Sequence, residues 1–169
     1  MKKEALILID IQNVYFTEGP YLLHKPEEAA MKAQKLLKKF REEGKIIIHV
    51  KHEFQKFADI YKAVKPLPDE KIVTKKYPSA FLGTDLQEYL LSQNIEKLII
   101  AGMMSHMCID TTVRACQNFG YEVIVIEDGC TTKNLSFNGN TIDAKTVHTA
   151  FMAALNGMFA KVIKLDEFL

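Results

Sequence analysis

Short apolar runs alternate with segments of helical periodicity along the whole chain, and this alternation restricts the fold more than any other feature. Runs without interleaved polar residues are typical of strands that are buried on both faces of a parallel sheet. The pattern therefore predicts an α/β fold, a three-layer doubly wound sheet that is mostly parallel, with helices on both faces. The strands are predicted at residues 5–9, 45–50, 72–74, 98–101, 122–126 and 161–165, and the helices at about 26–44, 84–94, 108–119 and 142–156.

No internal repeat and no linker rich in glycine, serine or proline divides the 169 residues, so we expect one domain over residues 1–169. The 22 basic and 21 acidic side chains nearly cancel, which gives no electrostatic reason to expect a nucleic acid or an anionic membrane as partner. No apolar run approaches the length of a membrane span. We therefore expect a small-molecule ligand.

The three cysteines form neither a CxxC pair nor a metal-binding spacing, so the sequence implies no disulfide framework. The amino-terminal apolar run ends at Asp10 and is too short for a secretory signal. Both observations favour a cytoplasmic protein.

Three reactive side chains follow predicted strands. Asp10 closes the first strand, Lys75 follows the third and Cys108 follows the fourth. In the common strand order 3-2-1-4-5-6, ligands bind beyond the carboxyl ends of the strands, where the order reverses between strands one and four. We therefore expect all three side chains to face one crevice, with Lys75 rather than the neighbouring Lys76 directed inward.

Cys108 lies where the fourth strand gives way to a helix, in LIIAGMMSHMCIDTTVRA. The positive end of a helix dipole favours a thiolate over a thiol, so this cysteine is the candidate nucleophile. The alternative is a small buried side chain without chemistry, which is the commoner role of a cysteine in a helix.

Four segments resemble those of the isochorismatase-like cysteine hydrolases, a family that includes nicotinamidases and N-carbamoyl amide hydrolases. They are LILIDIQN around Asp10, VTKKYPSAFLGTDL around Lys75, AGMMSHMCIDTTVRA around Cys108 and the tail segment TIDAKTVHTAFMAAL. The resemblance covers nearly the whole chain. It implies that the Asp10 carboxylate, the Lys75 ammonium and the Cys108 thiol act together as the catalytic groups.

The resemblance also implies how these groups share the chemistry. Asp10 would accept the thiol proton and later return it to the leaving amine, while Lys75 would keep Asp10 ionised and favour the thiolate. The oxyanion hole would be formed by the backbone N–H groups of Met104 and Cys108, next to a non-proline cis peptide bond between Met103 and Met104.

One departure from the family bears on metal binding. Nicotinamidase-type members carry an Asp-x-His pair after the second strand that helps to hold a divalent metal, whereas this chain has His49-Val-Lys-His52-Glu. Residues three apart on a strand face opposite sides, so His49 and His52 would not bind one ion together. We therefore expect no metal and no other cofactor, with a metal-assisted nicotinamidase type as the alternative.

Several residues are candidates for the substrate cavity. Tyr15, Phe16 and Phe81 either line the cavity or fill the core, and Met103 either packs or lies beside the acyl site. His148 lies in an apolar helical stripe and is a core residue or a substrate contact. Specificity is expected to depend on loops such as residues 51–70, whose conformation periodicity does not predict.

The sequence thus predicts a metal-independent hydrolase that cleaves the C–N bond of a small amide or carbamoyl compound through a thioester. The retained thiol favours C–N bonds over the vinyl ether of isochorismate. A non-catalytic binding or assembly module on the same fold is the alternative from another functional class. The family resemblance further implies a homo-oligomer, either a dimer or a tetramer.

Overall fold

The computed structural model describes residues 2–169 and contains a six-stranded sheet in which every strand pair is parallel. Its strands are β1 (Glu4–Ile9), β2 (Ile46–His52), β3 (Lys71–Lys75), β4 (Lys97–Met103), β5 (Glu122–Thr131) and β8 (Lys161–Ile163). They lie in the order β3-β2-β1-β4-β5-β8, which is 3-2-1-4-5-6 when strands are counted within the sheet. The predicted fold class and strand order are confirmed.

Five helices cover the two faces of the sheet. They are α1 (Pro26–Glu42), α2 (Leu86–Ser92), α3 (Asp110–Asn118), α4 (Ala144–Leu155) and α5 (Leu165–Phe168). Successive β1 side chains enter two different cores, because side chains alternate across a strand. Leu6 and Leu8 pack with α1 and α5 on one face, whereas Ile7 and Ile9 pack with α2, α3 and α4 on the other.

The local structure differs from the prediction at three places. Strand β5 continues past residue 126 to Thr131, and the polar segment after it forms a hairpin, β6 (Leu135–Phe137) and β7 (Asn140–Ile142), around a turn at Asn138 and Gly139. Thr84 and Gln87, whose spacing at the start of the predicted helix is typical of a capping box, do not form one. The Thr84 hydroxyl instead donates to the carbonyl of Ala80, and the Gln87 side chain accepts from the hydroxyl of Tyr121.

Gly102 brings the ends of β1 and β4 together. Its φ is +142°, and a Cβ at this position would lie 2.0 Å from the carbonyl oxygen of Ile9. Since Ile9 and Gly102 are register partners, the absence of a side chain permits the close approach of the two strands immediately before Asp10 and the Cys108 turn. None of the described helices is long and apolar enough to cross a membrane.

Candidate active site

The carboxyl ends of three strands bring the predicted reactive groups together. Asp10 follows β1 in a left-handed conformation (φ +52°), which turns its side chain over the sheet edge. Lys75 ends β3 and reaches past β2, and Cys108 lies in the turn after β4. Lys75 Nζ is 2.7 Å from Asp10 Oδ2 and 3.2 Å from Cys108 Sγ. The neighbouring Lys76 is exposed, as predicted.

The Lys75 ammonium is the centre of this cluster. Besides Asp10 and Cys108, it contacts His52 Nδ1 and the carbonyl oxygen of Tyr77, each at 3.1 Å. An ammonium has three protons to donate, so these four acceptors exceed its capacity. The arrangement links the carboxylate and the thiol through one buried cation.

His52 belongs to the site although the sequence analysis did not assign it a catalytic role. It is the register partner of Lys75, and its backbone N–H donates to Gln12 Oε1 at 2.7 Å while its carbonyl accepts from Gln12 Nε2 at 2.9 Å. Burial, reinforced by the Lys75 charge, lowers the pKa of His52, so the ring is neutral near pH 7. Strand β2 runs two residues beyond its predicted end, and that extension is what places His52 beside Lys75.

Burial changes the expected protonation of the nucleophile. The Cys108 side chain is 5% exposed, and burial together with the Asp10 charge raises the pKa of its thiol to about 12 against the opposing effect of Lys75. Desolvation of the charged form and the Asp10 charge thus work against the thiolate that the helix position was expected to favour. Burial also raises the pKa of Asp10, and Lys75 opposes that rise.

The turn that carries Cys108 begins at a cis peptide bond between Met103 and Met104, as predicted. The Met104 carbonyl accepts from the N–H groups of Met107 at 3.0 Å and Ile109 at 3.3 Å, which closes the wide turn Ser105–Ile109 before α3 starts. The backbone N–H groups of Met104 and Cys108, expected to form the oxyanion hole, thus belong to one turn. Within it, the buried Ser105 Oγ lies 2.7 Å from His148 Nδ1.

A cavity of about 240 Å³ opens onto Cys108. It is small beside the roughly 300–1,000 Å³ of most ligand pockets. Of the four residues proposed to bind substrate, Tyr15 lines it. The full lining is Tyr15, Tyr21, His52, Phe54, Pro78, Met104, Met107, Cys108 and Lys133.

The other three proposed substrate contacts lie elsewhere. Phe16 stacks on Tyr61 with ring centroids 3.6 Å apart and faces a separate depression. Phe81 packs against Phe119, and Met103 is fully buried in the core beneath α1. Of the two alternatives for Phe16, Phe81 and Met103, the one that places them in the cavity is wrong, because each packs against other side chains. Single-sequence periodicity does not distinguish such a packing site from a ligand contact. His148 likewise contacts Ser105 and does not line the cavity.

The Lys75 ammonium makes this cluster unsuitable for a divalent cation. Within residues 2–169, Asp10, His52 and Cys108 each offer one ligand atom, and these atoms lie within 4.8 Å of one another. Lys75 Nζ is within 3.2 Å of an atom of all three, so a metal held by them would lie against an ammonium. His49, as predicted, is directed elsewhere, with Nε2 2.9 Å from Glu70.

Comparisons with known proteins identify the family and agree with the fold. The isochorismatase domain model matches residues 4–167. The uncharacterized isochorismatase family protein YddQ of Bacillus subtilis (strain 168) is 42% identical, with 98% of each chain covered. A crystal structure from Oleispira antarctica, assigned to the isochorismatase hydrolases, superposes with a TM-score of 0.93 at 40% identity and covers 99% of this chain and 96% of the other.

A more distant relative carries a specific activity in its name. Maleamate amidohydrolase of Pseudomonas putida (strain KT2440) is 27% identical over 75% of this chain and 71% of its own length. The domain match and the two similar full-length proteins together show that the chain belongs to the isochorismatase family of hydrolases.

Proposed function

We propose that the protein hydrolyses the C–N bond of a small amide or carbamoyl compound through a thioester on Cys108, without a metal. The observation that carries this proposal is that one buried ammonium, Lys75, contacts both the Asp10 carboxylate and the Cys108 thiol. A protonated thiol with a high pKa needs an adjacent proton acceptor before it attacks a carbonyl. Asp10 is that acceptor.

In the first step, Asp10 removes the thiol proton and the sulfur forms a bond with the carbonyl carbon. The carbonyl electron pair moves to oxygen, where the N–H groups of Met104 and Cys108 receive the oxyanion. Each such donor contributes about 2.7–4 kcal/mol to stabilising the transition state. The positive charge of Lys75 offsets the negative charge that passes from Asp10 to the sulfur and then to the oxygen.

In the second step, the tetrahedral intermediate collapses and the C–N bond breaks. Asp10 donates its proton to the leaving nitrogen, which departs as ammonia or an amine and leaves a thioester on Cys108. Water, deprotonated by the same Asp10, then attacks the thioester carbonyl. The C–S bond breaks, the acid is released, and the proton on Asp10 returns to the sulfur of Cys108. The sum for a primary amide is R–CO–NH₂ plus water giving R–COOH plus ammonia.

Two further observations support C–N bond cleavage. The name of the Pseudomonas putida relative, maleamate amidohydrolase, denotes a hydrolase of an amide. The small and mostly apolar cavity suits a compact acyl group placed against the sulfur. The metal-assisted alternative is disfavoured because Lys75 lies against the three groups that would be the ligands.

Ammonia release from a panel of primary amides and carbamoyl compounds tests the proposal, with isochorismate included as a vinyl ether substrate. Cys108→Ala is expected to lower turnover by several powers of ten, while Cys116→Ala, which removes a buried sulfur from α3, leaves it nearly unchanged. A substrate-derived aldehyde should form a mass-detectable adduct on Cys108. Equal activity of Cys108→Ala and the wild type, or turnover of isochorismate alone, would contradict the proposal.

A further inference from the structure

Lys133 is an unexplained charged side chain in the lining of the catalytic cavity. Aromatic rings, a proline and two methionines make up most of the wall, and the lining contains no carboxylate. Cys108, which is part of the wall, contacts Lys75 of the fully buried pair Asp10 and Lys75, whose charges offset each other. Lys133 therefore supplies an uncompensated positive charge at the cavity mouth.

The backbone on both sides of Lys133 is anchored. Thr132 is 1% exposed, and its carbonyl accepts the N–H of His24 at 2.8 Å. On the other side, Asn134 Oδ1 accepts the N–H of Ala144 at 2.8 Å, at the start of α4. These contacts hold the residues on either side of Lys133, whose exposed side chain contributes to the cavity lining.

Apart from Lys133, no side chain with a fixed charge among the described residues lines the cavity, and the nearby Glu53 is paired. Glu53, next to His52 in the chain, lies 3.7 Å from Lys76, whereas Lys133 forms no ion pair with any side chain in residues 2–169. A cation held over an apolar cavity without a protein partner favours an anionic ligand, because the field lines are focused by low-dielectric walls.

We propose that Lys133 selects substrates that carry a carboxylate at the end remote from the scissile amide, that is, short monoamides of dicarboxylic acids. This inference rests on the proposed amidase function and adds its substrate class. A single ammonium matches the single charge of a carboxylate, whereas phosphate groups are usually held by several donors. The cavity of about 240 Å³ has space for about eight water molecules at ~30 Å³ each, so the chain between the two ends is short.

A matched pair of substrates separates charge from shape. Succinamate carries a carboxylate and succinamide carries an isosteric neutral amide in the same place. Lys133→Met is expected to lower kcat/KM for succinamate about tenfold more than for succinamide, mainly through KM. Lys133→Arg should retain the preference. Lys145→Met, which removes an exposed lysine outside the cavity lining, controls for net charge.

Binding to the Cys108→Ala protein tests the inference independently of turnover. Calorimetry should show succinamate binding about tenfold more tightly than succinamide, and Lys133→Met in that background should abolish the difference. If the wild type releases ammonia from no compound of the amide and carbamoyl panel while this binding difference persists, the proposed function fails and the role of Lys133 in binding the carboxylate stands. If both compounds bind equally, if neither binds, or if Lys133→Met leaves the preference intact, the inference is overturned even where hydrolysis occurs.

Discussion

The Lys75 ammonium lies 2.7 Å from Asp10 Oδ2, and neither side chain is exposed to solvent. Both charges have lost their hydration, so each depends on the other for compensation. Asp10 Oδ1 has no hydrogen-bond partner among the described residues, which leaves Lys75 as the principal group that stabilises the carboxylate. Stability and proton transfer in this site are therefore coupled through one pair.

Replacing Lys75 with methionine should destabilise the protein by about 3–5 kcal/mol near neutral pH, because a buried carboxylate loses its partner. The direction in which the free energy of unfolding of this variant changes with pH follows from the protonation of Asp10. When Lys75 no longer opposes the effect of burial, the pKa of Asp10 in the folded state rises further above the ordinary value of 3.8. The folded state then binds the proton more tightly than the unfolded state. Stability is then lost as pH rises from about 4 through the raised pKa. Urea unfolding at about pH 4 and about pH 7 measures the difference.

The double variant Lys75→Met with Asp10→Asn provides the control, because it removes both charges. Its free energy of unfolding should exceed that of Lys75→Met near neutral pH, although catalysis stays absent. A Lys75→Met protein whose stability relative to the wild type is the same at both pH values would contradict the coupling.

Asp10→Asn should lower the pKa of the Cys108 thiol below about 12. The Asp10 charge is one cause of the raised pKa, and the Lys75 ammonium, which lowers it, remains in place. Alkylation of Cys108 near neutral pH should therefore accelerate. Hydrolysis should fall by about 10² to 10⁴, since no group returns a proton to the leaving amine.

The ultraviolet absorbance of the thiolate, followed against pH, measures this shift, and its loss in the double variant Asp10→Asn with Cys108→Ala assigns the signal. An unchanged or higher thiol pKa would show that the Asp10 charge does not act on Cys108. Retained hydrolysis would remove Asp10 from the proton-transfer step.

The relative placement of Asp10, Lys75 and Cys108 was predictable from sequence for a physical reason. Each lies at or just beyond the carboxyl end of a parallel strand, and such ends meet at one edge of the sheet. Strand positions follow from continuous apolar runs, so identifying the runs places the side chains that follow them.

The cavity wall and the thiol pKa were not predictable in the same way. Phe54 and Lys133 come from connections without periodicity, and their positions depend on contacts between distant segments. For Phe81 the sequence left cavity and core as alternatives, since an aromatic side chain suits either place, and the side chain packs against Phe119 at the edge of the core. The Cys108 pKa depends on how completely the site excludes water, which only the assembled structure reveals.

Gly102→Ala should destabilise the protein by at least about 3 kcal/mol, because its Cβ would lie 2.0 Å from the Ile9 carbonyl oxygen and the strands would have to separate. Gly44→Ala is the matched control. Gly44 also has a positive φ, +60°, but a Cβ there meets nothing within 4 Å, so only the conformational cost of roughly 1–2 kcal/mol applies. Urea unfolding of both variants measures the difference, and equal losses would show that the close approach of β1 and β4 carries no cost.

Removing the ammonium should convert the site into a metal site. In Lys75→Ala, the ligand atoms of Asp10, His52 and Cys108 remain within 4.8 Å of one another, and carboxylate, imidazole and thiolate form a donor set that Zn²⁺ accepts with water as a fourth ligand. The wild type should not bind Zn²⁺ at this position, because Lys75 Nζ lies within 3.2 Å of all three groups. We expect Zn²⁺ to bind Lys75→Ala at least about 100-fold more tightly than the wild type, a difference of about 2.8 kcal/mol.

Calorimetry measures the affinity, and Co²⁺ used in place of Zn²⁺ reports a thiolate ligand through its charge-transfer absorption. The double variant Lys75→Ala with Cys108→Ala should lose that absorption, which assigns the sulfur ligand. Activity of the wild type should survive chelation, since its cation is the side chain of Lys75. Tight Zn²⁺ binding by the wild type at Cys108, or activity lost to a chelator and restored by a divalent ion, would show instead that Lys75 leaves this position and that the reaction depends on a metal.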